Sequence, residues 1–194
     1  MASDTQLEDA MAAALHRLDL DEFERLAGEV ETRHAARLRR ISAPDALSGA
    51  AAWYAAQGIP VFPVEERGKV PLVRWRDAAT TIGAQVAAWW RRWPQANIGM
   101  PTGLRWDVID IDGPPGYQSY ATVREAEHLP PIAGRALTPR GGMHVYIAPT
   151  GDGNGASLGP GLDYRGIGGY VVIPPSVGGN GRRYDWCDVP EVGP

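Results

Sequence analysis

The sequence predicts an α+β fold in which helices cover one face of a mainly antiparallel sheet. Two observations favour this fold. Apolar residues recur at helical spacing through most of the first 93 residues, whereas short β-branched runs separated by Gly and Pro dominate after residue 97. The later runs follow one another as strand, helix, strand, strand and a further strand. Such an order leaves the second face of the sheet free for a functional site.

Chain length and composition limit the architecture and the cell compartment. With 194 residues, 44% of them hydrophobic, the chain can form one domain with an appendage. It contains no apolar run of about 18 residues and no basic-then-apolar signal sequence, which argues against a membrane partner. Cys187 is the single cysteine, so an internal disulfide and a cysteine-based zinc site are excluded. A cytoplasmic protein is predicted.

The net charge of −4 is unevenly distributed along the chain. Residues 1–47 and 107–194 each carry a net charge of −4, whereas residues 48–106 carry +4. A basic middle beside acidic ends suits a protein that holds phosphates with one part and metal ions with another, although chance would explain the charges equally well. Lys69 is the only lysine among 19 basic residues. It is either a solvated loop residue or a compact point charge for a phosphate.

Two helices are predicted within residues 5–41. Apolar residues recur at helical spacing from Leu7 to Leu18, and a second series runs from Phe23 to Ile41. The second helix ends in an Arg-rich stretch, whose positive charge complements the helix dipole. That stretch is either a solvated helix end or a contact for nucleic acid.

A boundary is predicted at Ser42–Pro44. Residues 44–57 form an Ala-rich helix after it, which Gly58 can end in the left-handed conformation. Residues 59–64 form a short strand, and its two prolines confine it to an edge or an irregular position.

A loop is predicted over residues 65–80, and a helix over residues 81–93. The tryptophans at positions 89, 90 and 93 lie on one broad apolar face of that helix. They could form a platform for base stacking, but a face of this kind more often packs in a core.

The second half of the chain is richer in strands and in glycine. Residues 104–112 are predicted as a strand, 117–128 as a helix, 136–138 and 143–148 as a hairpin, 158–169 as irregular, and 170–173 as a strand.

Two carboxylates lie two residues apart in the segment V-I-D-I-D-G-P-P-G. Because alternate residues of a strand share a face, Asp110 and Asp112 point the same way, with Cα atoms roughly 6–7 Å apart. Carboxylates at that separation can bind one or two hard cations. The alternative is that Asp112 starts a turn over Gly113–Gly116 and that Asp110 is a hydrogen-bonded residue at a strand end.

Two later segments carry similar polar pairs. In G-G-M-H-V-Y-I, strand alternation turns His144 and Tyr146 away from the core. In L-D-Y-R-G, Asp163 and Arg165 suit a metal-bound polyphosphate, because the acid can hold the ion while Arg clamps a phosphate oxygen. A structural histidine and an internal salt bridge are the alternatives.

The order of five motifs resembles the primase–polymerase (prim-pol) domain of bifunctional DNA primase/polymerase replication proteins, in the archaeo-eukaryotic primase superfamily. The motifs are G-K-V-P-L, W-W-x-x-W-P-x-A-N-I-G-M-P-T-G, V-I-D-I-D-G, T-P-R-G-G-M-H-V-Y and L-D-Y-R-G-I-G-G-Y-V-V-I-P-P-S. They run from about Ala46 to about Trp186, and residues 1–45 fall outside them as an N-terminal helical extension.

The resemblance implies a division of the prim-pol domain, residues 46–190, into two halves. Residues 46–103 would form a small α/β half, and residues 104–190 an RRM-like catalytic half with an antiparallel-rich sheet. Residues 191–194 would be a tail that continues into a longer native chain, with a helicase region at its C-terminal side.

The resemblance also implies roles for individual residues. Asp110, Asp112 and Asp163 would be the catalytic carboxylates that hold two Mg²⁺ or Mn²⁺ ions, with no zinc. The expected contacts to an incoming NTP or dNTP are His144, Arg165, Lys69, Asn97 and Arg140. The expected contacts to a single-stranded DNA template are Arg74, Arg76, Arg91 and Arg92.

The predicted function is a DNA-template-directed nucleotidyltransferase, both primase and DNA polymerase. It would synthesise and extend primers in the replication of a phage, plasmid or other mobile element. A metal-dependent nuclease or phosphohydrolase could use the same carboxylates, and an inactive single-stranded DNA-binding module is the third hypothesis.

Overall fold

The computed structural model describes residues 10–11, 13–14, 17, 21–28, 47–126, 129–155 and 157–188. Residues 21–28 are helical, and Met11, Ala14 and Leu26 are buried in a small cluster. Residues 10–11 and 13–14 are helical as well and residue 17 is in a turn, whereas the rest of the two helices predicted for residues 5–41, including the Arg-rich stretch, lies outside the described residues. The N-terminal helical extension therefore stays a prediction.

The other described residues form a mixed α+β fold with antiparallel strand pairing, as predicted, and the strands are divided between two sheets. The helices are α1 (Leu47–Ala56), α2 (Trp75–Ala78), α3 (Gly83–Arg92) and α4 (Gly113–Glu125). The strands are β1 (Phe62–Val64), β2 (Asn97–Pro101), β3 (Asp107–Ile111), β4 (Ile132–Leu137), β5 (Met143–Ile147), β6 (Ser157–Gly159), β7 (Leu162–Arg165), β8 (Tyr170–Ile173) and β9 (Asp185–Asp188). No helix among the described residues combines the length and apolar character needed to cross a membrane.

Helices α1 and α3 pack against each other beside the smaller sheet. Gly58 has a φ of 75° and follows α1, and the amide of Ile59 donates to the carbonyl of Tyr54 at 3.0 Å. This geometry confirms that Gly58 ends the helix. Trp89 and Trp90 of α3 are buried, which confirms the core role of these tryptophans.

The smaller sheet has the strand order β1-β2-β8. Strand β1 lies at its edge, as its prolines predicted. Strand β8 arrives from much later in the chain and pairs with β2, where Ile98 lies opposite Ile173. The smaller sheet thus contains strands from both sides of the predicted division at residues 103 and 104, and the division itself stays a prediction.

The larger sheet has the strand order β6-β7-β3-β5-β4-β9. One of its faces carries Ile109, Ile111, Val145 and Leu162, which share a core cluster with the tyrosines of α4. On the opposite face, Val108, Tyr146 and Trp186 join a core cluster with the smaller sheet. The second face of the sheet is therefore only partly free, because the smaller sheet shares a core with it.

Several predicted elements or boundaries were wrong, and four of them lie near the site. Residues 65–80 contain the short helix α2. Helix α4 begins at Gly113, so Gly113–Gly116 form its first turn, where prolines need no amide hydrogen bond. Strand β3 ends at Ile111, which leaves Asp112 just beyond it. Residues 162–165, predicted to be irregular, form β7 because they pair with β3.

Candidate active site

Three neighbouring strands of the larger sheet bring polar side chains side by side. Asp110 of β3 lies opposite His144 of β5 on one side and opposite Asp163 of β7 on the other. Residues that lie opposite each other in an antiparallel pair point to the same face of the sheet. Asp163, Asp110 and His144 therefore form a row across the face that turns away from α4, and we call it the polar row.

The side chain of Arg165 joins the polar row from β7. Its Nη2 donates to Oδ2 of Asp163 at 2.9 Å and to Oδ2 of Asp110 at 3.2 Å. Nε2 of His144 lies 3.4 Å from Oδ1 of Asp110. Asp163 and Arg165 thus form the internal salt bridge that the sequence left open as an alternative to a metal and phosphate site. Asp110 forms an ion pair with the same guanidinium group.

Asp110 is the more enclosed carboxylate of the row. Its side chain is 10% exposed, compared with 46% for Asp163. Burial raises the pKa of Asp110, but the hydrogen bond and charge of His144, with the charges of Arg165 and Lys69, lower that pKa to about 2. Asp110 is therefore anionic at neutral pH and suited to bind a cation.

Asp110 and His144 of the polar row line a cleft of about 390 Å³, whereas Asp163 is not part of its wall. Lys69, Arg76 and Arg165 contribute positive charges to its wall. Aromatic rings of Tyr170 and Tyr184 also line it, together with residues of β8 from the smaller sheet. The cleft can therefore receive a ligand that is strongly anionic on one side.

The family model for bifunctional DNA primase/polymerase, N-terminal, matches residues 51–194. The chain belongs to the Prim-Pol family. This match confirms the resemblance found in the motif order, and it includes every residue of the polar row and the cleft wall. No curated protein sequence matches the chain significantly. Membership implies a DNA primase/polymerase nucleotidyltransferase that binds DNA and nucleotides, from a family whose enzymes generally depend on divalent metal ions.

Two polar contacts fix the loop that carries Lys69 in this Prim-Pol chain. Nδ2 of Asn97 donates to the carbonyls of Gly68 at 3.1 Å and Val177 at 2.8 Å, and its Oδ1 accepts from the amide of Val177 at 2.9 Å. The hydroxyl of Tyr170 donates to the carbonyl of Lys69 at 2.8 Å. Because Asn97 is 1% exposed and uses its whole amide on backbone groups, it positions this loop.

Asn97→Ala should lower the free energy of unfolding by about 3 kcal/mol and should raise the KM for nucleotide. Three partly buried backbone groups would lose their partner, and the loss of a buried hydrogen-bond partner costs roughly 1–3 kcal/mol. Urea unfolding and nucleotide kinetics measure the two effects. Gln95→Ala, at an exposed position two residues earlier, is the control and should change neither. A raised KM with unchanged stability would contradict the positioning role and favour a direct contact.

The four arginines proposed to contact DNA occupy different places in the Prim-Pol fold. Arg76 lines the cleft, and its Nη2 donates to the carbonyl of Gly168 at 3.3 Å. Arg74, Arg91 and Arg92 are exposed and do not belong to the cleft wall. Of the four, only Arg76 belongs to the cleft wall, and a contact of any of them with template stays a prediction.

Asp112 and Arg140 are not part of the cleft wall, but both act electrostatically on Tyr184, a cleft residue that the sequence did not single out. Burial, then the charges of Asp110 and Asp112, raise the pKa of Tyr184 to about 12, and Arg140 opposes that rise. The ring of Tyr184 lies 5.7 Å from the ring of His144, measured between centroids. A tyrosine just before β9 carries no local signal of this role, because β9 itself was not predicted.

The donor groups of the row fit a divalent cation in their chemistry. Carboxylate oxygens are the ligands that Mg²⁺ and Mn²⁺ prefer, and those of Asp110 and Asp163 converge on one point. Within the described residues, no group of three His, Cys, Asp or Glu side chains is assembled to hold a metal ion. Nη2 of Arg165 occupies the point on which the two carboxylates converge.

Proposed function

We propose that this Prim-Pol chain is a template-directed nucleotidyltransferase that synthesises primers and extends them. The observation that carries the proposal is that Asp110 and His144 of the polar row line the same cleft as Lys69, Arg76 and Arg165. Carboxylates on one side suit divalent cations, and cations on the other side suit a triphosphate. The cleft therefore offers a matching surface to each part of a metal–nucleotide complex.

Asp110, Asp112 and Asp163 are the residues that would hold two Mg²⁺ or Mn²⁺ ions. When bound, such ions lower the pKa of the attacking 3′-hydroxyl and neutralise charge on the departing pyrophosphate. The low pKa of Asp110 supports its part, because a ligand carboxylate must be ionised before it can bind a cation.

The other residues of the cleft would bind and orient the triphosphate. Lys69 offers a point charge on a loop whose backbone is already fixed, so little conformational freedom is lost on binding. Arg165 offers a planar fork that can bind two phosphate oxygens. His144, whose Nε2 lies 3.4 Å from Oδ1 of Asp110, would offer a ring nitrogen for a hydrogen bond where charge develops in the reaction.

The connectivity of the larger sheet supports an RRM-like catalytic half. Strand β3, helix α4 and strands β4, β5 and β7 follow one another, and the sheet places these strands in the order β7-β3-β5-β4. This order is the one expected of a split β-α-β arrangement, as in ferredoxin-like and RRM-like domains, and so supports that proposal; between β5 and β7 the described residues contain β6 and no helix. Arg76, on the rim of the cleft, is the best-placed contact for a template strand. A helicase region in the native chain and a mobile element as the setting rest on the motif resemblance alone.

Priming on unprimed single-stranded DNA tests the proposal. With labelled rNTPs or dNTPs supplied separately and Mg²⁺ or Mn²⁺ present, we expect products whose sequence follows the template. The double variant Asp110→Ala with Asp112→Ala should make no product and should keep the circular dichroism spectrum of the wild type. Release of short template fragments would identify a nuclease instead. DNA binding without any incorporation would identify an inactive binding module.

A further inference from the structure

We propose that Arg165 is a built-in counter-cation of the catalytic carboxylates, so that Arg165 and a divalent metal ion compete for Asp110 and Asp163. The inference deepens the proposed function and rests on it, because the competing ion is the one that the reaction would use. It assigns Arg165 a role in the nucleotide-free protein, in addition to its proposed contact with phosphate.

The contacts of one nitrogen atom carry the inference. Nη2 of Arg165 donates to one oxygen of Asp163 at 2.9 Å and to one oxygen of Asp110 at 3.2 Å. A guanidinium nitrogen that bridges two carboxylates occupies the place where one cation would be shared by both. A metal ion, with oxygen ligands at about 2.0–2.1 Å for Mg²⁺, cannot enter while this nitrogen remains there.

The side chain of Arg165 can leave without disturbing the sheet. Its backbone lies in β7, opposite Val108 of β3, while its side chain is 30% exposed and lines the cleft. Lys69 lines the same cleft, so phosphates that are drawn to Lys69 would lie within the space that Arg165 borders. Rotation about the side-chain bonds of Arg165 would then move its guanidinium group from the carboxylate oxygens of Asp110 and Asp163 to phosphate oxygens.

This exchange couples the metal ion to the nucleotide. Without a nucleotide, an arriving ion must break two charge-assisted hydrogen bonds of Arg165 and leave that charge without a partner. A bound triphosphate supplies new oxygens for Arg165 and releases the carboxylates for the ion. Coupling between two ligands is reciprocal, and typical values change affinity by about 5–150-fold.

Arg165→Gln tests the competition through binding of Mn²⁺ alone, followed by electron paramagnetic resonance of the intact chain without nucleotide. We expect the variant to bind Mn²⁺ roughly tenfold more tightly than the wild type, within the usual range of coupling. In a metal-free buffer with chelator, calorimetry should show that the variant binds the nucleoside triphosphate at least about fivefold more weakly. A variant that had merely lost its structure would not change the two affinities in opposite directions.

Arg76→Gln is the matched control. Arg76 is a second arginine of the same cleft, but its Nη2 contacts the carbonyl of Gly168 instead of the carboxylates. Its loss should change Mn²⁺ affinity by less than about twofold, which separates release of the carboxylates from a general loss of positive charge. If Arg165→Gln fails to fold, Arg165→Lys keeps the charge without the fork and should bind Mn²⁺ more tightly by a smaller factor.

Equal Mn²⁺ affinity in the wild type and the Arg165 variants would overturn the inference, and so would an equal gain in Arg76→Gln. Absence of measurable Mn²⁺ binding in all variants would overturn it as well. The proposed function fails separately, because it requires wild-type protein to incorporate nucleotides on a template. A wild type that primes DNA but shows no effect of Arg165 on Mn²⁺ keeps the function and loses the counter-cation.

Discussion

Asp110→Asn should reduce nucleotide incorporation by about 10³-fold or more while the protein stays folded. Asp110 is the central member of the polar row, with His144 on one side and Asp163 on the other. An amide has nearly the same shape but no charge, so it cannot replace the carboxylate as a cation ligand or as the partner of Arg165. Extension of a labelled primer by a single nucleotide measures the loss.

Asp107→Asn is the matched control, because the same strand carries this carboxylate on its opposite face. Asp107 is fully buried, and its Oδ2 accepts hydrogen bonds from the hydroxyl of Tyr164 and from the amide of Thr150. The control should lower the melting temperature and leave the rate per folded molecule close to that of the wild type. Full activity in Asp110→Asn, or an equal loss of rate in Asp107→Asn, would contradict the role of Asp110.

Gly142→Ala should destabilise the protein by about 3 kcal/mol and should also reduce incorporation. A Cβ atom at position 142 would lie 2.1 Å from the carbonyl oxygen of Ile111 and 3.0 Å from Oγ1 of Thr138. The carbonyl belongs to the backbone of β3 and cannot move alone, so the ends of β3 and β5 would have to separate. Because Asp110 and His144 face each other across that strand pair, the polar row would be distorted.

Gly141→Ala separates this clash from a general effect of changing glycine in the turn. Gly141 has a φ of 80°, but a Cβ atom there would meet nothing within 4 Å. Its substitution should therefore cost only the strain of the left-handed conformation, roughly 1–2 kcal/mol. Thermal unfolding should place Gly142→Ala roughly 6–12 °C below the wild type, with Gly141→Ala between them. A Gly142→Ala protein as stable as Gly141→Ala would show that the strand ends adjust freely.

Features that depend on local sequence were predicted well. The period of two in β3 and β5 correctly placed Asp110 and His144 on the face away from the packed isoleucines and valines. Gly58 and the prolines of β1 act within a few residues of themselves, so helix end and sheet edge followed from the sequence. The hairpin of β4 and β5 was also found, although β4 is longer than predicted.

Features that depend on distant partners were not predicted. The four residues of β7 become a strand because β3 lies beside them, and no local pattern announces that pairing. Asn97 was assigned to nucleotide binding, yet its partners Gly68 and Val177 are 29 and 80 residues away. The net positive charge of residues 48–106 likewise did not show that Arg76, among the four candidate arginines, would line the cleft. The side of the fold on which an arginine lies depends on how the helices pack.

The strand order of the smaller sheet also bears on how the chain acquires its structure during synthesis. Strand β2 has β1 as one neighbour, but its other neighbour is β8, with Ile173 lying 75 residues after Ile98. Until that segment leaves the ribosome, one edge of β2 has no strand to pair with, and unpaired edges invite association with other chains. Asp163 and Arg165 emerge immediately before β8, so the polar row and the smaller sheet are completed in the same interval. We therefore expect the polar row to form at the same stage at which the free edge of β2 is covered and protected from association.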